Sequence, residues 1–167
     1  MRILVAVASK HGATLDIAEA IGATLRARGH TVDVVVPDPN LALREYGAVI
    51  CGSAVYGGSW RPEAVRFLEY RADDLRAVPV WLFESGPVGN SDLVDPAGAG
   101  RQWASLVAAR DLAVFDGRID RSLLSMGERA IIAMVRVKDD DFRDFDAIEE
   151  WAESIGDSLE KEGSAAR

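Results

Sequence analysis

The stretch Ser9-Lys10-His11-Gly12-Ala13-Thr14 places two hydroxyls, a glycine and a lysine between an apolar run and a helical pattern. A loop of this kind at a helix N-terminus aims several backbone N–H groups at one point, which is a seat for phosphate or another anion. Lys10 is its one fixed cation, so N–H and O–H donors would do most of the holding. The loop lacks the second glycine and the Lys-Ser/Thr pair of a P-loop, and it lacks the G-x-G-x-x-G dinucleotide pattern. The same residues equally suit an ordinary helix cap at Thr14 preceded by a glycine turn.

Two further stretches carry chemistry. Gly52-Ser53-Ala54-Val55-Tyr56-Gly57-Gly58-Ser59-Trp60-Arg61-Pro62 sets two aromatic rings around a glycine pair. Rings stack on planar ligands and glycines allow close backbone approach, although Tyr56 and Trp60 can instead close off the end of a core. Glu84-Ser85-Gly86-Pro87-Val88-Gly89-Asn90 consists mostly of small residues that would not obstruct a ligand. By itself it is also a plain glycine-proline turn.

The elements that must position these loops follow from hydropathy. Apolar runs at 3–8, 31–36, 48–51, 78–83 and 112–115 predict strands buried on both faces, as a parallel sheet covered by helices requires. Ile17, Ile21 and Leu25 lie on one helical face with Gly29 placed to end it. Val65 with Leu68, and Trp103 with Leu106 and Val107, predict two more amphipathic helices. Asp146 and Glu149 have capping-box spacing ahead of a stripe formed by Ile148, Trp151, Ala152, Ile155 and Leu159. Strand and helix thus alternate five times, which predicts an α/β fold with an open, doubly wound, five-stranded sheet. In such sheets ligands bind at the carboxyl ends of the strands where winding reverses, which is where the three loops fall. The expected organisation is one domain over 1–162, an insertion near 121–141 and a frayed tail at 163–167.

The chain has 167 residues, a net charge of −8 and one cysteine. That charge repels nucleic-acid backbones and anionic membranes at long range. Cys51 has no partner for an internal disulfide, which fits a reducing, cytoplasmic setting. The 3–8 run is too short for a signal-peptide core, and no apolar stretch approaches the roughly 20 residues of a transmembrane helix. Peripheral membrane contact stays open.

With these residues in view the sequence resembles the flavodoxin family, whose phosphate loop reads Ser/Thr-x-Thr/His-Gly-x-Thr and stands here as Ser9-Lys10-His11-Gly12-Ala13-Thr14. Through Gly52 to Gly58 and Asp141-Phe142-Arg143-Asp144-Phe145-Asp146-Ala147-Ile148 it looks like the branch containing menaquinone-dependent protoporphyrinogen dehydrogenase. The resemblance implies FMN as cofactor and strand order 2-1-3-4-5. It implies a phosphate seat at Ser9, Lys10, His11, Gly12, Ala13 and Thr14. It implies flavin contacts from Ser53, Ala54, Val55, Tyr56, Gly57, Gly58 and Trp60, and from Ser85, Gly86, Pro87 and Val88. A flavin carries its own redox chemistry, so no side chain is singled out as a catalytic acid or base.

In the resembled dehydrogenases a long basic segment near 121–141 helps reach a membrane quinone and a porphyrin. Here 122–138 reads as an apolar helix bearing Arg129, Arg136 and Lys138, followed at once by Asp139-Asp140-Asp141. Its other use is to pack on the domain or on a second copy of the chain. Three readings follow: a quinone-linked FMN oxidoreductase with a porphyrin substrate, a flavodoxin-type carrier steered by its acidic surface to a redox partner protein, and a flavin-free receiver domain. The last ranks lowest, because a receiver needs clustered acids after the first strand, where Ser9-Lys10 stands.

Overall fold

The computed structural model describes residues 1–86, 98–119, 125–127, 129 and 140–165. Its first strand, β1 (Arg2–Ala8), explains the architecture, because its side chains divide between two cores. Ile3, Val5 and Val7 face α1 (Ala13–Ala27) and α5 (Phe145–Ala165), whereas Leu4, Ala6 and Ala8 face the opposite layer. That layer holds α2 (Pro62–Tyr70), α3 (Ala72–Arg76) and α4 (Arg101–Val107). A strand apolar on both faces needs cover on both, and the helices supply it.

The main sheet runs β2 (Thr31–Val35), β1, β3 (Ala48–Tyr56), β5 (Val80–Gly86), β6 (Leu112–Asp116), all parallel. Counting these five alone gives the expected order 2-1-3-4-5. The added member is β4 (Ser59–Trp60), which folds back antiparallel on the end of β3.

Local sequence accounts for the helices. Ile17, Ile21 and Leu25 are fully buried, each stabilising the fold by roughly 1.5–3 kcal/mol relative to exposure. Gly29 takes φ 87°, a left-handed turn that ends α1 with its N–H donating to the Arg26 carbonyl. Pro62 opens α2 at its first position, where a missing N–H costs nothing. In α5 the expected stripe is buried at Ile148, Ala152, Ile155 and Leu159.

Several boundaries differ from expectation. β3 runs to Tyr56 rather than stopping at Cys51, since Gly52, Ser53 and Ala54 carry too little apolar signal to read as strand yet keep pairing with β1 and β5. β5 begins at Val80, after Pro79, and continues to Gly86. The cap of α5 is Asp144, whose Oδ1 accepts the Ala147 N–H at 3.1 Å, not Asp146. The helix continues through Ala165 where a frayed tail was expected after Glu162, and Arg110 ties its last turn by pairing with Glu162.

The insertion begins and ends in an antiparallel ribbon, β7 (Arg118–Ile119) with β8 (Asp140–Asp141). The helix expected over 122–138 falls mostly outside the described residues. Within it, the Arg129 N–H donates to the Ser125 carbonyl, and Met126 is exposed.

Gly52 is the tightest point in the sheet: a Cβ there would lie 2.0 Å from Phe83 Cζ, because the Phe83 ring crosses β3 at that residue. Gly52→Ala is therefore expected to lower the unfolding free energy by about 2–3 kcal/mol through overpacking, measured by urea denaturation. An unchanged midpoint would show that the ring moves aside freely.

Candidate functional site

Three chain segments meet at the carboxyl edge of the sheet, after β1, at the end of β3 and at the end of β5. The first begins as β1 leaves the core at Ala8. Gly12 takes φ 86°, a left-handed conformation that favours glycine, and α1 starts at Ala13. The first helical bond runs from the Asp16 N–H to the Gly12 carbonyl, so the amides of Ala13, Thr14 and Leu15 precede the intrahelical ladder. Among the described residues no side chain caps this helix start. Ser9 Oγ instead accepts the Gly12 N–H at 3.1 Å and tightens the turn.

The Thr14 hydroxyl is committed elsewhere. It is buried and lies 3.2 Å from Ser85 Oγ at the end of β5, so it does not cap the helix. The hydroxyl pair joins the first segment to the third. What remains is an uncapped helix start, the kind of terminus that accepts an anion.

The second segment is a hairpin. Val55 pairs with Trp60 and Tyr56 with Ser59, leaving Gly57 and Gly58 as a two-residue turn with φ 56° and 75°. Positive φ at both positions matches the twist of a tight hairpin, which explains the glycine pair. Among the described residues, a Cβ built on either glycine would meet nothing within 4 Å. The Tyr56 ring is part-exposed, with Lys10 Nζ 5.5 Å from its centroid and the His11 ring edge-on at 6.1 Å. The phosphate-loop side chains thus reach the hairpin.

The expected site residues divide accordingly. Ser9, Lys10, His11, Gly12, Ala13, Thr14, Tyr56, Gly57, Gly58, Ser85 and Gly86 surround this edge. Ala54 is buried and Val55 half-buried within the strand. Trp60 is only 4% exposed and packs in the core beside the α2–α4 layer. The buried Ser53 hydroxyl accepts the Arg61 N–H and donates to the Ala54 carbonyl, both at 2.9 Å. Pro87 and Val88 lie outside the described residues.

Two residues that shape the site were not singled out from sequence. Arg143, with a side chain 5% exposed, donates to Asp141 at 2.6 and 2.7 Å and to Asp16 at 2.8 Å, and reaches the Ala13 carbonyl at 3.3 Å. It ties the end of the insertion to the first turn of α1. Glu84 is buried beside Ser85 and accepts the Trp60 Nε1–H. A glutamate directly after the apolar run Val80-Trp81-Leu82-Phe83 was the available signal for it.

This architecture has known counterparts. The sequence model of the flavodoxin domain matches residues 4–146. The chain belongs to the flavodoxin domain family. Its cofactor is accordingly FMN. The uncapped helix start and the glycine turn fit that group, the first as an anion seat and the second as a surface without side chains.

Among solved structures, the flavodoxin of Streptococcus pneumoniae TIGR4 superposes with TM-score 0.63 at 19% identity, over 92% of this chain and 96% of that one. Flavodoxin 2 of Bacillus cereus gives TM-score 0.52 at 24% identity, over 82% and 100%. Rubredoxin oxygen:oxidoreductase of Desulfovibrio gigas gives 0.61 at 15% identity, over 96% of this chain but 36% of its own length. The chain therefore spans about a third of that last protein. At these identities the likeness is one of fold. No curated protein sequence matched the chain significantly.

The Arg143 clamp has a pH signature. The Arg143 guanidinium holds the Asp141 carboxyl below its usual range, chiefly by hydrogen bonding. A carboxylate depressed in the folded state stabilises above its unfolded pKa, near 4, and that contribution is lost as pH falls through the folded value. Arg143→Met should therefore flatten the loss of thermal stability between about pH 5 and 3. Parallel acid limbs for variant and parent would count against the clamp.

Proposed function

We propose that the chain is an FMN oxidoreductase of the protoporphyrinogen dehydrogenase type, passing electrons to a quinone. The observation that carries the flavin site is the meeting of the uncapped α1 start, the Gly57-Gly58 turn and the Thr14–Ser85 hydroxyl pair at one sheet edge. In this reading Gly12 makes the turn and the backbone amides of Ala13 and Thr14, with Ser9, Lys10 and His11, hold the phosphate. Tyr56, Gly57, Gly58, Ser85 and Gly86 line the flavin ring. Bound FMN supplies one- and two-electron redox chemistry, and the chain's residues bind it, orient it and limit access to it.

The insertion supports an enzyme rather than a bare carrier. It is closed at its base by the β7–β8 ribbon and linked through Asp141 and Arg143 to the phosphate loop, so it is anchored beside the cofactor edge. A segment so placed can meet a small substrate such as a porphyrin, or a membrane surface bearing quinone. Among the described residues no helix is long and apolar enough to cross a membrane, so in this reading the contact is peripheral. A second reading, a flavodoxin-type carrier, is favoured by the net charge of −8, which attracts basic redox proteins.

Purified protein should carry a yellow chromophore with the mass of FMN. A colourless protein that FMN cannot titrate would sink both readings. Anaerobic mixing of the holoprotein with protoporphyrinogen and a menaquinone analogue separates them: turnover is expected, and its absence would leave the carrier. Because both turn residues take positive φ, Gly57→Val should strain the turn and shift both reduction potentials of bound FMN. Unchanged potentials would remove the turn from the flavin site.

A further inference from the structure

We propose that Glu84 is a positioning residue for the redox site: its buried carboxyl, bonded to the Trp60 indole, sets where the Gly57-Gly58 turn stands at the sheet edge. The inference rests on the reading of that turn as part of the flavin site. Glu84 is 1% exposed and follows Val80 and Leu82 on the face of β5 that packs against the α2–α4 layer, where an apolar residue would continue the pattern. A polar group so placed is costly unless it is bonded. Trp60 Nε1 donates to Glu84 Oε2 at 2.6 Å.

The bond does more than satisfy a buried carboxyl. Ser53 is the cross-strand partner of Glu84, and its Oγ accepts the Arg61 N–H at 2.9 Å. Consecutive residues leaving the hairpin, Trp60 and Arg61, are thus each held by one of two adjacent polar side chains on the central strands. On another side Gly100, at the start of α4, lies so close that a Cβ there would stand 2.8 Å from Glu84 Oε2. The carboxyl is therefore confined. The arm it holds is only two residues long, and a hairpin of that size has little stability of its own. Apolar packing of Trp60 would hold the arm down without fixing its rotation, whereas a hydrogen bond is directional. Trp60 is paired with Val55 and separated from the glycine turn by Ser59 alone, so its orientation passes to the turn.

The test uses the full chain in apo and FMN-loaded forms. Trp60→Phe removes the donor and keeps an aromatic ring of smaller size, and Glu84→Gln keeps an acceptor for the indole. In the apo protein, Trp60→Phe is expected to speed amide hydrogen exchange at Gly57, Gly58 and Ser59 by at least about tenfold while leaving β1 unchanged. Glu84→Gln should retain the parent rates. In the loaded protein, Trp60→Phe should shift the reduction potentials of FMN. If Trp60→Phe fails to fold, the double variant Trp60→Phe/Glu84→Leu replaces the bond by apolar contact and should show the same loosening.

A variant with a lower Tm but parent-like hairpin exchange and potentials would overturn the proposal, leaving an ordinary core bond. Faster exchange with unshifted potentials, where Gly57→Val does shift them, would also overturn it while sparing the flavin reading. Unshifted potentials in both variants would defeat the flavin reading of the turn and the proposal with it, and the exchange data would still report whether the bond holds the arm.

Discussion

The site depends on the two-sided pairing of β3. It bonds in parallel to β1 on one side and β5 on the other, so its direction is fixed along its length, and it then continues past the main sheet as the first arm of the hairpin. A loop leaving the sheet at Cys51 would have been free to take many conformations. A strand that runs on to Tyr56 delivers the glycine turn in one orientation. Gly52 makes this continuation compatible with the core, because the Phe83 ring passes over its missing side chain.

Around that strand the two faces of the sheet contribute differently. On the α1 face, Thr14 meets Ser85 and joins the helix start to β5, so the anion seat moves with the sheet rather than as a separate loop. On the other face, Glu84 and Ser53 hold the hairpin arm from beneath. Lys10 and His11 approach Tyr56 across the top. Polar side chains within the edge of an otherwise apolar core are thus used to fix direction, while Cys51, whose burial raises its thiol pKa far above the ordinary range, contributes only volume.

The insertion is tied into this arrangement at its base. Its ends pair in a short ribbon, and Asp141 orients Arg143 onto the Ala13 carbonyl and Asp16. The acidic run that dilutes the basic character of the segment therefore has a structural use, since Asp141 partners the buried guanidinium that holds the phosphate loop.

The sequence by itself determined the layered α/β fold, because periodic apolar runs are local signals, whereas the strand order came only as what the flavodoxin resemblance implies. The sequence also marked the glycine pair. What only the tertiary structure decided was which polar side chains bond to other parts of the protein. Trp60 packs in the core with its indole bonded to Glu84, Ser53 bonds to Arg61, and Arg143 ties Asp141 to the start of α1. The physical reason is that a side chain's partner is set by strand register and by the length of β3, and small residues such as Gly52, Ser53 and Ala54 hide that length from any hydropathy pattern. The loop from Ser9 to Thr14 suits a helix cap or an anion seat equally in sequence, and the contact of Thr14 with Ser85 shows that its hydroxyl is not the cap.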